Sequence, residues 1–304
     1  MTRPLAGLLS RGTVLLDGAM GSALIARGLS PDTPPELWNL ERPDDVLSVH
    51  AGYLKAGSAV IQTNSFGGNA IRLEAHGLSD RALELNREAA HLALSAVERS
   101  RSDGTRPARA LVAGNLGPCG RLLEPLGTLK PARLTEAFAE QARALASAGV
   151  DYLSIETITD LDEALCAVRG ARQATALEIT VCLTFEPGSP GRRGVHTIMG
   201  NSIEEAASAL AVAGITAFGA NCSLGSGQMS AFAGQLVAAT DLPVIAKPNA
   251  GLPEIQDGKP VYRQTPEQFA LDLCAMARQG VRLVGGCCGT DERFIRALHR
   301  GLRS

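Results

Sequence analysis

The sequence is poor in aromatic residues and has no surplus of charge of either sign. Its 304 residues include one Trp, three Tyr and seven Phe, and 29 basic residues are balanced by 31 acidic ones, a formal net charge of −2 at pH 7. A dedicated nucleic-acid-binding protein normally concentrates a basic excess on one face. We therefore expect no nucleic-acid partner.

Long apolar runs are also missing. The uncharged stretch between Glu205 and Asp241 is rich in Ala, Gly and Ser and is interrupted by Asn221 and Gln228, whereas a membrane span needs about 20 predominantly apolar residues. The apolar run Leu5–Leu9 is too short for a secretion signal. We expect a cytoplasmic protein without membrane contact, in which the uncharged stretch forms buried helix, strand, loop and helix.

The sequence has seven cysteines but no CxxC pair. The absence of this pair excludes a thioredoxin-like redox motif, and the odd number argues against a disulfide framework. Cys166 and Cys274 lie in helical apolar patterns and Cys182 lies in a strand pattern, so we predict that they are core residues. Three of the remaining cysteines, Cys222, Cys287 and Cys288, follow predicted strands.

Short apolar runs alternate with helical stretches along the whole chain. The predicted strands are Thr13–Asp17, Ala59–Thr63, Ala110–Ala113, Tyr152–Glu156, Ile179–Thr184, Ala217–Asn221, Val244–Lys247 and Arg282–Gly285. The predicted helices include Arg81–Arg99, Pro131–Ala148, Leu161–Ala174, Ile203–Ala213, Thr265–Gln279 and Asp291–Leu302.

Eight strand–helix units are what a parallel (β/α)8 barrel requires. We predict a protein of the α/β class with a single TIM-barrel domain over residues 1–304. The main alternative is a doubly wound open sheet. That fold usually carries a dinucleotide fingerprint after its first strand, and the segment DGAMG at Asp17–Gly21 does not match G-x-G-x-x-G.

Three cysteines follow two of the predicted strands. Cys222 follows the sixth strand, and Cys287 and Cys288 follow the eighth. In TIM barrels the active site forms at these carboxyl ends of the strands. Three thiolates favour a soft or borderline metal such as zinc, with a fourth position open for a ligand. The alternative is that the glycine-rich segment 285–289 cradles a phosphate, which leaves Cys222 without a role.

Six segments of the chain carry a resemblance to a known family. They resemble motifs of the homocysteine S-methyltransferase family, which includes the homocysteine module of cobalamin-dependent methionine synthase and betaine–homocysteine methyltransferase. The resemblance implies the barrel fold and zinc on Cys222, Cys287 and Cys288. It also implies methyl transfer to the zinc-bound thiolate of homocysteine, which gives methionine. The segments are LDGAMGSAL (Leu16–Leu24), QTNSFGGN (Gln62–Asn69), SIETITDLDEA (Ser154–Ala164), GANCSLG (Gly219–Gly225), KPNAGLP (Lys247–Pro253) and GGCCGT (Gly285–Thr290).

The same resemblance implies roles for residues around the metal. Asp17 and Glu156 match the acids that hold the substrate ammonium, and the backbone amides around Gly18 and Ala19 resemble the cradle for its carboxylate. Asn249 matches an Asn that can occupy the fourth zinc position in the substrate-free state of some members.

The methyl donor is less well defined by the sequence. Donors in this family carry an electrophilic methyl group, on a corrinoid, on a betaine-like ammonium or on a sulfonium such as S-methylmethionine. A corrinoid would arrive on a separate protein or free, because the barrel uses the whole chain. A quaternary ammonium would need aromatic faces, and candidate rim residues are Trp38, Phe66, Phe185 and Tyr262. We rank methyl-corrinoid and betaine-like donors equally and the sulfonium third.

Other functions stay open. The chain could be a zinc-thiolate methyltransferase that uses S-methylmethionine or another acceptor thiol. It could instead be a thiol-presenting subunit of a corrinoid methyltransferase complex. A phosphate-binding barrel enzyme is the least favoured alternative.

Overall fold

The structure is a computed structural model that describes residues 3–105, 110–188, 194–256 and 259–303. Within these ranges one parallel eight-stranded sheet runs in the order β1, β8, β7, β6, β5, β4, β3, β2. The Ala59 N–H donates to the Leu15 carbonyl at 2.7 Å and links the two edge strands. The sheet is thus a nearly closed barrel, and the predicted TIM barrel is confirmed. The strands are β1 (Val14–Leu15), β2 (Val60–Gln62), β3 (Leu111–Leu116), β4 (Tyr152–Ile158), β5 (Ile179–Leu183), β6 (Ala217–Gly225), β7 (Val244–Asn249) and β8 (Val281–Val284).

Helices lie around this sheet in sequence alternation with the strands. In the described ranges they are α1 (Pro4–Leu9), α2 (Met20–Ile25), α3 (Trp38–Glu41), α4 (Pro43–Ala56), α5 (Ala70–Leu73), α6 (Ala82–Ser102), α7 (Pro131–Ser147), α8 (Leu161–Ala174), α9 (Ile203–Val212), α10 (Ser226–Ser230), α11 (Ala233–Ala238), α12 (Pro266–Arg278) and α13 (Glu292–Gly301).

Helix starts follow local side-chain chemistry. Ser202 caps α9 by accepting a hydrogen bond from the Glu205 N–H, and the Glu205 carboxylate accepts one from the Ser202 N–H. Thr265 caps α12 in the same way through the Gln268 N–H. Such caps satisfy amides that have no partner inside the helix. They explain why these two helices begin at the residues that the sequence predicts.

Some strand lengths differ from prediction. β1 is only two residues long, because the chain turns after Leu16 and the Asp17 carbonyl accepts a hydrogen bond from Gly286 instead of continuing a ladder. β6 runs four residues past its predicted end at Asn221, and its pairing with β7 shifts register before Gly225. Both irregularities lie at the carboxyl ends of the strands.

The opposite end of the barrel is closed by α1. Leu5 and Leu9 of this helix pack on a buried cluster of inward-facing strand residues that includes Tyr152 and Ile245. The Glu178 carboxylate accepts hydrogen bonds from the Leu5 and Ala6 amides at 2.8 and 3.1 Å. A carboxylate at a helix N-terminus is favoured by the helix dipole. In the described part of the chain the amino-terminal end of the barrel is therefore filled, which leaves the carboxyl end for a ligand.

The uncharged stretch after Glu205 adopts the expected elements. It contains the end of α9, then β6, α10 and α11. Among the residues that the structure describes, no helix combines the length and the apolar character that crossing a membrane would require.

The packing of α8 on α7 generates a stability prediction. A Cβ on Gly170 of α8 would press on the Thr135 carbonyl oxygen and lie 2.8 Å from the Ala139 nitrogen. We expect Gly170→Ala to lower the free energy of unfolding by about 1–3 kcal/mol, since overpacking forces the helices apart.

Gly52→Ala in α4 is the matched control, because the nearest atom to its added Cβ is 4.0 Å away. Alanine is the better helix former, so this variant should be stabilised by up to about 1 kcal/mol. Urea unfolding of both variants would measure these changes. Equal stability of the two variants would show that the helices do not pack this closely.

Candidate active site

The cysteines that follow β8 and the one within β6 come together at the carboxyl end of the barrel. The sulfur atoms of Cys222, Cys287 and Cys288 all lie within 4.8 Å of one another, and the Cys222 and Cys288 sulfurs are 3.9 Å apart. Two thiolates bound to one tetrahedral zinc at 2.3 Å have sulfurs about 3.8 Å apart. The cluster therefore has the dimensions of a zinc site.

Backbone strain is concentrated at this cluster. In the described chain the residues other than glycine with positive φ are Thr157 (64°), Cys222 (60°) and Ser223 (54°). Such conformations cost of order 1–3 kcal/mol each and persist only where neighbours hold them. The strained residues lie in β4, which carries Glu156, and in β6, which carries Cys222.

The Asn221 side chain holds these two strands together. Its Oδ1 accepts from the Thr157 N–H at 2.8 Å, and its Nδ2 donates to Thr157 Oγ1 at 2.8 Å. The same Nδ2 lies 3.8 Å from the Cys287 sulfur. Asn221 thus ties the end of β4 to β6 and to the turn after β8. No role for Asn221 was predicted from the sequence, although it directly precedes Cys222.

The turn after β8 is as sharp as its glycines predict. Gly289 has φ of 79°, and a Cβ on Gly286 would collide with the Thr290 side chain. Thr290 Oγ1 donates to the Cys287 carbonyl at 2.7 Å and closes the turn. This geometry lets two consecutive cysteines both approach the Cys222 sulfur.

The same turn has few free amides for an anion. The N–H groups of five of its residues already donate to protein oxygens. These residues are Gly285, Gly286, Cys287, Gly289 and Thr290. A phosphate cradle needs backbone N–H groups that point at the ligand. The phosphate alternative is therefore disfavoured.

The three thiols titrate as a group. Hydrogen bonds from Cys287 and Cys288 lower the pKa of Cys222 to about 3. The same contact with Cys222 raises the pKa of Cys288 to about 11 and raises that of Cys287. The cluster alone readily holds one thiolate, and three thiolates together require a cation. This is the behaviour expected of ligands for a bound metal.

Asn249 lies at the end of β7, beside this cluster. It is buried and contributes a hydrogen bond that helps to lower the pKa of Cys222. Its Oδ1 has no hydrogen-bond partner among the described residues. Leaving a buried polar atom unpaired is costly, so this oxygen is suited to an additional ligand. Its role as a fourth metal ligand stays a prediction.

A cavity of about 440 Å³ extends from the cysteines into the barrel mouth. It brings together most of the residues that the sequence singles out. These are Asp17, Gly18, Ala19, Phe66, Glu156, Cys222, Cys287 and Cys288.

The two acids in this cavity have different surroundings. Asp17 Oδ2 accepts from the Gln62 N–H at 2.7 Å, whereas Oδ1 has no partner in the described part of the chain. Burial raises the pKa of Asp17 to about 7. Glu156 Oε1 accepts from Asn115 Nδ2 at 2.9 Å, and Oε2 lies 2.7 Å from Lys247 Nζ.

Lys247 is a buried cation that the sequence analysis did not assign. Its side chain is 4% exposed, and its Nζ also contacts Gln62 Oε1. Burial acts to lower the pKa of Lys247, but the negative charges of Glu156 and Asp17 outweigh it and the pKa rises. Lys247 therefore stays protonated in the site. A lysine at the end of an apolar strand was the available signal.

The expected carboxylate cradle is only partly free. The Ala19 N–H already donates to the Thr290 carbonyl and hydroxyl oxygens, at 3.4 and 3.2 Å. A Cβ on Gly18 would lie 2.9 Å from Thr290 Oγ1 and from the Tyr53 ring, so only glycine fits there. Carboxylate binding by the Gly18 amide stays a prediction, while the Ala19 amide is engaged within the protein.

Two of the four aromatic residues considered for the donor lie near the site. Phe66 lines the cavity, with the Arg72 guanidinium 5.6 Å from its ring centre. Tyr262 is hydrogen-bonded to Cys288, and burial together with the neighbouring cysteines raises the pKa of its hydroxyl. Of these two rings, Phe66 lines the cavity and Tyr262 contacts the cysteine cluster through Cys288.

The other two aromatic residues require a correction. Trp38 is in α3, not in a rim loop; it is buried, and Arg42 covers its ring at 4.8 Å. Phe185 is buried in the core and packs edge-on against Phe218, with ring centres 6.3 Å apart. Neither lines the cavity, because large apolar rings gain more by joining the core than by remaining at the mouth.

Comparison with known sequences places this site in context. A sequence model of the family described as homocysteine S-methyltransferase matches residues 14–302. Methionine synthase of Mycobacterium tuberculosis (strain ATCC 25618 / H37Rv) is 31% identical over 298 residues, covering 96% of this chain and 25% of that protein. Methionine synthase of Mycobacterium leprae (strain TN) is 30% identical over 303 residues, covering 95% and 24%. The chain spans about a quarter of the length of these curated relatives.

One solved structure shows the same likeness over its full length. The metallated form of the homocysteine methyltransferase MmuM from Escherichia coli has a TM-score of 0.82 and 26% identity, with 99% of this chain and 100% of that chain covered. The carboxyl transferase domain of Rhizobium etli pyruvate carboxylase has a TM-score of 0.52 at 14% identity and shares the fold alone.

The raised pKa of Asp17 generates a prediction about stability and pH. Between the ordinary value of 3.8 and about 7, the carboxyl is protonated when folded and ionised when unfolded. Folding then takes up a proton, so stability falls as pH rises through this range. We expect the free energy of unfolding of the wild type, minus that of Asp17→Asn, to fall between pH 4 and pH 7 and to level off above pH 7. Urea unfolding of the metal-free proteins at several pH values would measure it, and a difference independent of pH would contradict it.

Proposed function

The chain belongs to the homocysteine S-methyltransferase family, and on that basis we propose that it methylates the thiol of homocysteine to give methionine. One observation carries the proposal. Three cysteine sulfurs within 4.8 Å of one another share a cavity with two buried carboxylates. Three cysteine ligands suit a zinc ion that binds the substrate thiol, and buried carboxylates suit the ammonium group of an amino acid. Homocysteine carries both groups.

The cysteines are the proposed zinc ligands. Cys222, Cys287 and Cys288 would hold the ion, with Asn249 beside the fourth position. Zinc in such a site lowers the pKa of a coordinated thiol, and soft thiolate ligands leave that sulfur nucleophilic. The reaction forms a bond from the substrate sulfur to the methyl carbon and breaks the bond from that carbon to the donor. The thiol proton is lost to solvent.

The rest of the cavity is proposed to orient the amino acid. Asp17 offers a buried carboxylate oxygen without a partner in the described chain, which suits an ammonium. The Gly18 amide, just before α2, would bind the substrate carboxylate.

For the donor we favour a methyl-corrinoid carried by a separate protein or module. Two of the four aromatic candidates for binding a quaternary ammonium are buried in the core, which weakens the case for a betaine-like donor. The similarity to methionine synthases over about a quarter of their length supports the same choice.

The metal proposal makes a direct prediction. Changing Cys222, Cys287 or Cys288 to Ala should reduce tightly bound zinc from one per chain to near zero, because two thiolates cannot replace three. Metal analysis after dialysis against a chelator would measure it. Cys274→Ala is the control, since Cys274 lies in α12 within the core and should leave zinc content unchanged. Full zinc content in a Cys287→Ala/Cys288→Ala double variant would rule out this site.

A second prediction concerns the reaction. The zinc-loaded chain, given homocysteine and free methylcobalamin, should form methionine, and Cys222→Ala should abolish it. Parallel assays with betaine and with S-methylmethionine test the donor ranking. Efficient turnover with S-methylmethionine alone would reverse that ranking. Zinc-dependent homocysteine binding without turnover on any donor would indicate a thiol-presenting subunit instead of an independent enzyme.

A further inference from the structure

The two acids of the cavity are not equivalent, because one of them already has a cation. Lys247 Nζ lies 2.7 Å from Glu156 Oε2, and both side chains are less than a tenth exposed. The other Glu156 oxygen accepts from Asn115 Nδ2. A buried ion pair with its remaining oxygen hydrogen-bonded is a compensated group, and breaking it by removing one partner is costly. Both oxygens of Glu156 therefore already have partners, and this carboxylate is a poor acceptor for a second cation.

Asp17 is in the opposite situation. One of its oxygens accepts from the Gln62 N–H, and the other is buried without a partner among the described residues. The Gln62 side chain contacts Lys247 through Oε1 and donates to Ser154 through Nε2. Gln62 thus contacts Asp17 through its backbone N–H and Lys247, the counter-ion of Glu156, through its side chain. An ammonium group beside Asp17 favours the ionised carboxylate, and with Asp17 ionised the three side chains of Asp17, Glu156 and Lys247 carry one uncompensated negative charge.

We propose that Lys247 is a specificity-determining residue that occupies Glu156 as its counter-ion and leaves Asp17 as the acceptor for the substrate ammonium. The site then takes ligands with a single ammonium group, whose charge offsets that of the Asp17 carboxylate. This inference rests on the proposed function only in taking an amino-acid thiol as the ligand. The two acids then have different roles, whereas the family resemblance implies the same role for both.

The proposal has a consequence for paired substitutions. Glu156→Gln would leave Lys247 without its counter-ion, and Asp17 is the other carboxylate whose negative charge acts on Lys247. Lys247 would then compete with the ligand for Asp17. Removing both charges, in Lys247→Met/Glu156→Gln, would free Asp17 again. If Glu156 itself held the ammonium, the double variant would bind no better than the single one.

The test is calorimetric titration of the zinc-loaded full chain with homocysteine and with 4-sulfanylbutanoate, which is the same molecule without the amino group. For the wild type we expect homocysteine to bind about 10- to 100-fold more tightly, as for a hydrogen bond between charged groups. Glu156→Gln should bind homocysteine at least about tenfold more weakly. The double variant should return to within about threefold of the wild type, on the scale by which context alters such interactions. Zinc content and unfolding temperature of each variant serve as controls.

A double variant that holds zinc and folds, yet binds homocysteine as weakly as Glu156→Gln, would overturn the proposal. Asp17→Asn is an independent arm that needs neither other variant. It should bind the two ligands equally, and a retained preference for homocysteine would also overturn the proposal. The proposed reaction fails separately: this binding pattern with no methyl transfer from any donor would reject the reaction and keep the assignment of the acids.

Discussion

The parallel pairing of β6, β7 and β8 is the constraint on which the site depends. Strand β7 pairs with β6 on one side and with β8 on the other. The strand that carries Cys222 and the strand that precedes Cys287 and Cys288 are therefore two strand spacings apart. Backbone ladders set neighbouring strands roughly 4.8 Å apart. The chain must therefore bend inward at both ends to bring the sulfurs closer than the strands themselves. The left-handed residues of β6 and the glycines after β8 supply these bends.

Negative charge is the second constraint on this end of the barrel. Two carboxylates and a cluster of thiols lie around one cavity, where a low dielectric strengthens repulsion between like charges. Lys247 on β7 lies between these groups and offsets part of the charge. The thiol cluster keeps its own charge low by sharing hydrogen bonds, since one thiolate is stabilised and the other thiols stay protonated. The cysteine sulfurs are therefore in position for a metal ion, and the Asp17 carboxyl is in position for an ammonium group.

The parts of this arrangement that depend on position along the chain could be predicted from the sequence. The eight strands and the converging cysteines follow because parallel barrel strands bring their carboxyl ends to one face, whereas the roles of the two acids came from the family resemblance. The Lys247–Glu156 pair was not found, because it joins strands that are not neighbours and depends on side-chain reach across the barrel. Trp38 and Phe185 were placed wrongly for a related reason, since whether a ring near a strand end faces the cavity or the core depends on packing. The closure of the barrel by α1 was not predicted, because Glu178, which accepts hydrogen bonds from the start of α1, lies in no recognisable motif.

Strain and hydrogen bonding together explain why the cysteine cluster has one shape. The left-handed conformations of Thr157, Cys222 and Ser223 each raise the energy of the folded chain, and no element spanning them would adopt these conformations alone. Asn221 offsets this cost locally with two hydrogen bonds to Thr157. Because Cys222 is itself one of the strained residues and directly follows Asn221, relaxing the strain would move its sulfur relative to those of Cys287 and Cys288. The geometry of the site is thus set before any ligand binds, and binding need not supply the energy to form it.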